Sequence, residues 1–170
     1  MKTAIATVSL SGSLDEKLDA IASAGFSGVE LFDGDLVASF HRPETVATMI
    51  QQRGLQLYLY QPLRDIEGWD ADEFRRAHDR AQRKLEIAAR LGAPTVLVCS
   101  NAAPHAIADD SRSASQLAKL GDTAAQFDIR IAYEALAWGS HVNTWEHAWS
   151  LVQQSGHPNV GLCVDSFHLF

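Results

Sequence analysis

Short apolar segments alternate with amphipathic helical segments along all 170 residues of the chain. This alternation is typical of repeated βα units around a parallel sheet. It predicts six strands, at residues 3–10, 28–32, 55–60, 95–100, 129–135 and 159–167, and five helices, at residues 14–24, 43–52, 70–91, 110–127 and 145–155. A polar loop is expected between the second strand and the second helix. The strand-to-helix connections are mostly the longer ones, which predicts a functional site at the carboxyl ends of the strands.

Two folds are built from such units, and the turn after the first strand distinguishes them. A doubly wound nucleotide-binding sheet needs G-x-G-x-x-G there, whereas SLSGSL contains one glycine, and G-x-x-x-x-G-K-[ST] does not occur in the chain. The remaining solution is a (β/α)8 barrel, which needs roughly 200 to 250 residues. We therefore predict an α/β fold, an incomplete (β/α)8 TIM barrel, as one domain over residues 1–170.

The composition narrows the classes of partner and compartment. The formal net charge of -7 offers no basic field for a phosphate backbone, so we expect no nucleic-acid partner. No apolar stretch approaches the roughly 18 residues of a membrane span, and we expect no membrane partner. Cys99 and Cys163 both lie inside apolar segments, which is typical of reduced thiols and favours a cytoplasmic location.

Two carboxylates, Glu134 and Asp165, each close an apolar segment that we interpret as a buried strand. If the two strands are neighbours in a parallel sheet, their ends lie roughly 5 Å apart. Both carboxylates could then hold one divalent cation such as Mg²⁺, Mn²⁺ or Co²⁺, which suits oxygen ligands. The structural alternative is that each carboxylate pairs with a lysine or arginine, or caps a helix.

Two further side chains have the chemistry to act on a substrate. Arg64, in QPLRD after the third strand, could bind a carboxylate with its guanidinium fork, although Asp65 and Glu67 offer it surface ion pairs. His168 lies shortly after Asp165, where its imidazole could act as general acid or base. The alternative for His168 is a solvent-facing loop position.

Other polar residues near the ends of predicted strands could line the same pocket. They are Glu30 on the second strand, Ser100 and Asn101 after the fourth, Tyr133 beside Glu134, and His141 and Asn143 after the fifth. Trp138 could either pack or stack on a ligand. His78 and His147 fall within predicted helices, and we expect both to face solvent.

Several motifs together resemble the N-terminal half of bacterial 3-dehydroshikimate dehydratases. They are residues 5–32, QPLRD with EGW, VLVCSN, YEALAWG with the following HVN, and DSFH. These enzymes belong to the xylose isomerase-like barrels of sugar phosphate isomerases and epimerases. The resemblance implies a divalent metal held by Glu134 and Asp165 and by two ligands from strands seven and eight, which are expected beyond Phe170. It also implies that His168 faces the substrate.

The resemblance implies metal-dependent dehydration of 3-dehydroshikimate to protocatechuate, with Glu134 and His168 as catalytic residues. The expected partner is a small substrate that carries a carboxylate, and a homo-oligomer is possible. One alternative is a keto-sugar isomerase or epimerase of the same superfamily. Another is a non-catalytic, self-associating fragment, because open parallel edges at strands one and six invite pairing. The chain by itself is expected to be inactive.

Overall fold

The computed structural model describes residues 2–168 and contains a six-stranded parallel sheet with the strands in chain order. The strands are β1 (Ala4–Ala6), β2 (Gly28–Phe32), β3 (Gln56–Arg64), β4 (Thr95–Cys99), β5 (Arg130–Glu134) and β6 (Val160–Cys163). All five neighbouring pairs are parallel, so the carboxyl ends of the strands lie together. Residues 1, 169 and 170 of the predicted domain lie outside the described part of the chain.

In the described part of the chain, six α-helices connect the strands. They are α1 (Leu14–Ser23), α2 (Asp33–Ala38), α3 (Pro43–Gln52), α4 (Ala71–Leu91), α5 (Asp110–Ala125) and α6 (Trp145–Ser155), with 3-10 turns at Thr7–Ser9 and Ser166–His168. Local sequence explains several ends: Ser13 and Glu16 form a capping box at α1, and Gly92 ends α4 with a φ of 70°. Within residues 2–168, no helix is long and apolar enough to span a bilayer.

The strand order confirms the barrel-type prediction. A doubly wound sheet reverses its strand order at a switch point, whereas these strands run consecutively from β1 to β6. Successive side chains point to opposite faces. Val98 and Tyr133 belong to the main core between sheet and helices, while Leu97 and Cys99 form a small second cluster with Leu136 on the inner face. Polar strand residues on the inner face are therefore not covered by the helices and can contribute to a site.

The first strand is shorter than predicted. Strand β1 ends at Ala6 and a 3-10 turn follows over Thr7–Ser9, whereas the sequence predicted a strand to Leu10. The Thr7 side chain is fully buried, and its Oγ1 accepts a hydrogen bond of 3.0 Å from the backbone N–H of Phe32. This contact with β2 is remote in sequence, so local pattern gave no sign of it.

The predicted polar loop after β2 is wrong, because residues 33–38 form helix α2. The Lys17 ammonium of α1 lies 2.6 Å from Asp35, and both side chains are largely buried. Lys84 of α4 lies 2.9 Å from Asp33 in the first turn of α2. A six-residue segment is too short to be a stable helix by propensity, so these tertiary ion pairs decide its conformation.

Candidate metal centre

The inner face carries a row of chemically active side chains at the carboxyl end of the sheet. The strand register aligns Arg64 of β3, Cys99 of β4, Glu134 of β5 and Cys163 of β6. Strands β5 and β6 are direct neighbours, which is the condition for bringing Glu134 near Asp165. In this register Glu134 has a cysteine on each neighbouring strand, Cys99 on β4 and Cys163 on β6. Adjacent strands lie about 4.8 Å apart, so both thiols are close to the carboxyl.

A cavity of about 440 Å³ opens at this end of the sheet. Three carboxylates line it, Glu30, Glu134 and Asp165. The rest of its wall consists of Ala6, Leu97, Cys163, Val164 and Ser166. Residues of β1 and β6 meet at the same cavity, so the sheet curves around it.

Glu134 is held from both sides by thiols. The Cys99 Sγ lies 3.5 Å from Glu134 Oε2, and the Cys163 Sγ lies 4.0 Å from Oε1. Burial, helped by the neighbouring Glu134 carboxyl, raises the pKa of Cys99 to about 12, so this thiol keeps its proton and donates. Burial also raises the pKa of Glu134, and the Asp165 carboxylate adds to that shift against the hydrogen bond from Cys99. The thiols orient the carboxyl, and its pKa stays raised although the positive charge of Arg64 opposes that shift.

Glu30 faces the cavity from β2. Burial raises its pKa, and the carboxyl groups of Glu134 and Asp165 raise it further. The Gln61 side chain on β3 donates a hydrogen bond to Glu30 Oε1 and fixes the carboxyl. Three carboxylates therefore repel one another across one cavity.

His168 lies beside the cavity, on the 3-10 turn after β6, although its side chain is not part of the cavity wall. One ligand atom each of Glu134, Asp165 and His168 lies within 4.8 Å of the others. The His168 side chain is 8% exposed, and the Trp138 ring packs edge-on against it at 5.0 Å. Its Nδ1 accepts a 3.4 Å hydrogen bond from the backbone N–H of Ala137. A neutral imidazole held in this way carries its proton on Nε2, which makes Nε2 a donor.

The donor set fits a divalent cation. None of the three cavity carboxylates forms an ion pair with a lysine or arginine within residues 2–168, and the contact that Asp165 makes with His168 is 4.0 Å long. Uncompensated carboxylates that face a cavity suit a hard cation with oxygen ligands. Glu134 and Asp165 are the residues placed to hold it, and the Nε2 proton makes His168 a poor ligand.

The fold agrees with the comparison to known families. The profile of xylose isomerase-like TIM barrels matches residues 18–170. The chain belongs to this family. It is also 48% identical over 168 residues to a 3-dehydroshikimate dehydratase of Pseudomonas putida, an alignment that covers 99% of this chain and 26% of the relative. The chain thus spans about a quarter of that relative's length.

Solved structures show the same barrel. A xylose isomerase-like TIM barrel/4-hydroxyphenylpyruvate dioxygenase fusion protein is 48% identical with a TM-score of 0.97, covering 99% of this chain and 27% of that one. The IolI protein, solved with a binding zinc atom, superposes with a TM-score of 0.81 at 22% identity and covers 99% and 64% of the two chains. At that identity the likeness shows the fold alone.

Within this xylose isomerase-like barrel, Tyr133 is not a pocket residue, which corrects the sequence prediction. Its side chain is fully buried on the helix side of the sheet, and its hydroxyl donates a 2.8 Å hydrogen bond to Glu67 Oε1. Neighbouring residues of a strand point to opposite faces. Since Glu134 faces the cavity, Tyr133 must face away.

Ser100 and Asn101 are also structural, against the prediction that they line the pocket. Ser100 is 1% exposed and its Oγ accepts a 2.9 Å hydrogen bond from the backbone N–H of Leu136. Asn101 is 3% exposed and bonds to Glu67 through both its backbone and its amide. A Cβ at Gly139 would collide with Ser100 Oγ and with a backbone carbonyl, so the glycine of YEALAWG permits a close crossing of two connections.

Glu67 is a buried carboxyl that accepts hydrogen bonds from two other segments of the chain, although the sequence analysis placed it at the surface. Its Oε1 accepts from the Asn101 N–H at 2.7 Å and from Tyr133, while its Oε2 has no hydrogen-bond partner within residues 2–168. Burial raises the pKa of this carboxyl. The only signal in the sequence was its position inside EGW, where an apolar Trp69 follows.

Replacing Glu67 tests this role. We expect Glu67→Ala to lower the free energy of unfolding by about 3 kcal/mol, because two buried donors lose their acceptor. Glu67→Gln retains an acceptor and cannot ionise. Because the pKa of Glu67 is higher in the folded than in the unfolded chain, its contribution to stability is complete below the unfolded pKa. That contribution is lost as the pH rises through the folded pKa. Urea unfolding from pH 4 to 8 should therefore show that the stability of Glu67→Gln rises relative to that of the native chain as the pH increases. If the free energies of unfolding of the two proteins change with pH in parallel, the assignment is contradicted.

Arg64 remains on the inner row and is exposed to solvent. It forms no ion pair within the described residues, and Asp65 instead accepts a 3.1 Å hydrogen bond from the backbone N–H of Ala102. The Arg64 side chain lines a neighbouring cavity of about 420 Å³. Its positive charge lowers the pKa of Glu134, which opposes the effect of burial. The guanidinium is therefore free to meet an anion beside the carboxylates.

The remaining candidates after β5 are outside the cavity wall. His141 and Asn143 are not among its lining residues, whereas Trp138 contacts the site through His168. The two helical histidines that were predicted to face solvent are partly exposed, and each also has a tertiary hydrogen-bond partner. His147 bonds to Asp110, and His78 Nε2 lies 2.9 Å from the hydroxyl of Thr123.

Proposed function

We propose that this chain supplies part of the active site of a metal-dependent 3-dehydroshikimate dehydratase, which forms protocatechuate and one water. The observation that carries the proposal is the convergence of Glu134, Asp165 and His168 within 4.8 Å at a carboxylate-lined cavity. The identity of 48% to a Pseudomonas putida protein of that name supports the choice of substrate.

Glu134 and Asp165 would hold the metal. A bound divalent cation supplies positive charge to the substrate ketone oxygen, where negative charge develops when the adjacent proton leaves. Cys99 and Cys163 orient the Glu134 carboxyl by donating to its two oxygens. The protein thus fixes the position of the charge before the substrate arrives.

Arg64 would bind the substrate carboxylate. A guanidinium presents a planar fork that matches a carboxylate with two parallel hydrogen bonds. Arg64 lies on β3, two strands from Glu134. This position would keep the substrate carboxylate away from the reacting ketone. Glu30 remains as an acceptor for a substrate hydroxyl, since Gln61 holds its carboxyl toward the cavity.

His168 would donate a hydrogen bond from Nε2 to the leaving hydroxyl, while that hydroxyl receives the proton that the substrate loses beside its ketone. The hydrogen bond from Ala137 occupies Nδ1 and leaves the proton on the nitrogen closer to Asp165. The substrate loses a proton beside its ketone and the hydroxyl on the next carbon, which together make one water. Tautomerisation of the resulting dienone then gives the aromatic catechol.

A chimera tests the proposal as a complete protein. This chain would replace the aligned segment of the Pseudomonas putida relative, to which it is 48% identical over 168 residues. We expect the chimera to convert 3-dehydroshikimate to protocatechuate only with a divalent metal, as measured by chromatography. Epimerisation of a keto sugar without protocatechuate formation would overturn the proposal in favour of the epimerase alternative.

The role of Arg64 gives a second measurement in the same chimera. Arg64→Met should lower kcat/KM by about 10-fold to 100-fold, mainly through KM, because a charge-assisted hydrogen bond is lost. Arg83→Met is the matched control, since Arg83 is an exposed arginine on α4 away from the cavity. Equal KM values for the two variants would exclude Arg64 as the anchor.

A further inference from the structure

A second group of metal-ligating side chains lies outside the carboxylate cavity. His141 Nε2 is 2.6 Å and His147 Nε2 is 2.8 Å from the same oxygen, Asp110 Oδ1. One ligand atom of each residue lies within 4.8 Å of the other two. None of these residues lines the cavity that contains Glu134. The group is therefore separate from the proposed dehydratase centre.

Secondary structure fixes two of the three side chains. Asp109 caps α5 by accepting from the N–H of Arg112, which places Asp110 at the first residue of the helix. Thr144 caps α6 by accepting from the N–H of His147. Both ligands therefore lie in the first turn of a capped helix, where the backbone is well defined.

The third ligand lies on an anchored connection. Ser140, directly before His141, donates its backbone N–H to the Asn101 carbonyl and its hydroxyl to the Ala103 carbonyl, at 2.8 and 2.7 Å. Val142, directly after it, is 2% exposed. His141 is thus held on both sides. Its ring meets that of His147 edge-on, with centroids 4.8 Å apart.

We propose that Asp110, His141 and His147 form a second metal site of the zinc class. Two imidazole nitrogens and one carboxylate are a common ligand set for Zn²⁺, with a fourth position open to water or another ligand. The histidine side chains are about one-quarter exposed, at 26% and 25%, so the site is formed but accessible. The Asp110 carboxylate is ionised, since the hydrogen bonds from His147 and His141 lower its pKa.

The geometry needs little adjustment to accept the ion. Ligand atoms on a tetrahedral zinc with bonds of about 2.0 Å lie roughly 3.3 Å apart. The nitrogens now donate hydrogen bonds to Asp110 at 2.6 and 2.8 Å, so metal binding would displace their Nε2 protons and move each nitrogen about 0.5 to 0.7 Å farther from Asp110 Oδ1. Rotation of exposed side chains is enough for such a change.

A bound ion would join two connections that border the dehydratase centre. Asp110 follows the β4–α5 connection, whereas His141 and His147 belong to the β5–α6 connection and helix α6. Trp138, on the same β5–α6 connection, packs against His168 at 5.0 Å. The second site would thus brace the connection that supports His168.

Zinc titration tests the site without using activity. The background is Glu134→Gln with Asp165→Asn, which removes the carboxylate site, and Zn²⁺ binding is followed by competition with a chromophoric chelator. We expect one equivalent of Zn²⁺ and a loss of affinity of about 100-fold on adding His141→Ala or His147→Ala. His41→Ala is the matched control, because His41 lies 4.0 Å from Asp15 with no second histidine beside it.

Two further readouts make the test decisive. Co²⁺ bound by nitrogen in a four-coordinate site should give visible absorption bands that Asp110→Asn weakens, and Mg²⁺ should not compete because imidazole does not suit it. Circular dichroism checks that each variant is folded. Absence of Zn²⁺ binding in the folded background, or unchanged affinity in both histidine variants, would overturn the proposal.

Discussion

Replacing Glu134 by glutamine in the chimera is expected to lower kcat/KM for 3-dehydroshikimate by about 10³-fold or more. The substitution keeps the shape and the acceptor for Cys99 while it removes the charge that would hold the metal. Affinity for Mn²⁺, measured by electron paramagnetic resonance, should fall in parallel. The free energy of unfolding should not fall, because burial already disfavours the charged carboxylate, as its raised pKa indicates.

The matched control is Glu146→Gln on α6, which removes an exposed carboxylate and should leave both activity and Mn²⁺ affinity unchanged. Chelation of the metal from the unsubstituted chimera should reproduce the loss caused by Glu134→Gln. If the variant keeps its activity, or loses activity while binding Mn²⁺ normally, Glu134 is not a metal ligand. Both outcomes are separable from misfolding by the unfolding measurement.

Replacing His168 by glutamine should lower kcat by about 10²-fold to 10⁴-fold, the usual range for removing a general acid or base. Affinity for Mn²⁺ should change little, because the hydrogen bond from Ala137 to Nδ1 leaves Nε2 protonated and unsuited to a metal. The split between kcat and metal affinity is the informative measurement. It separates proton transfer from ligation, which distance alone does not, since Glu134, Asp165 and His168 all lie within 4.8 Å.

His105→Gln provides the control for His168. His105 is an exposed histidine that packs against Trp69 at 5.1 Å, in a different connection. It should leave kcat unchanged. A fall in Mn²⁺ affinity comparable to that of Glu134→Gln would instead identify His168 as a ligand. A full kcat in His168→Gln would remove it from the catalytic residues.

The carboxylate pair was predictable because its chemistry conflicts with its surroundings. Glu134 does end the buried strand β5, whereas Asp165 is exposed and lies two residues beyond the end of β6, and both carboxylates line one cavity. The Arg64 side chain was selected by the same reasoning, as a charged fork at a strand end, and its role as a substrate anchor stays a prediction. In each case the residue type and its position along the strand carried the information.

The sequence did not predict which face of the sheet the neighbouring polar residues occupy. Tyr133 is next to Glu134 in sequence but lies on the opposite face, where it bonds to the buried Glu67. Ser100 and Asn101 follow β4 closely yet fold inward to hold neighbouring connections. Proximity in sequence to a strand end does not decide which way a connection turns.

Sequence alone determined the barrel-type order, the helix ends and the two carboxylates, because hydrophobic period and capping residues act over a few positions. Tertiary structure decided everything that depends on residues distant in the chain. Lys17 and Lys84 make a helix of the segment after β2, and Ala137 sets the proton of His168. Asp110 likewise gathers His141 and His147 into one group. These contacts join separate βα units, whereas the sequence pattern reflects only interactions within a single unit.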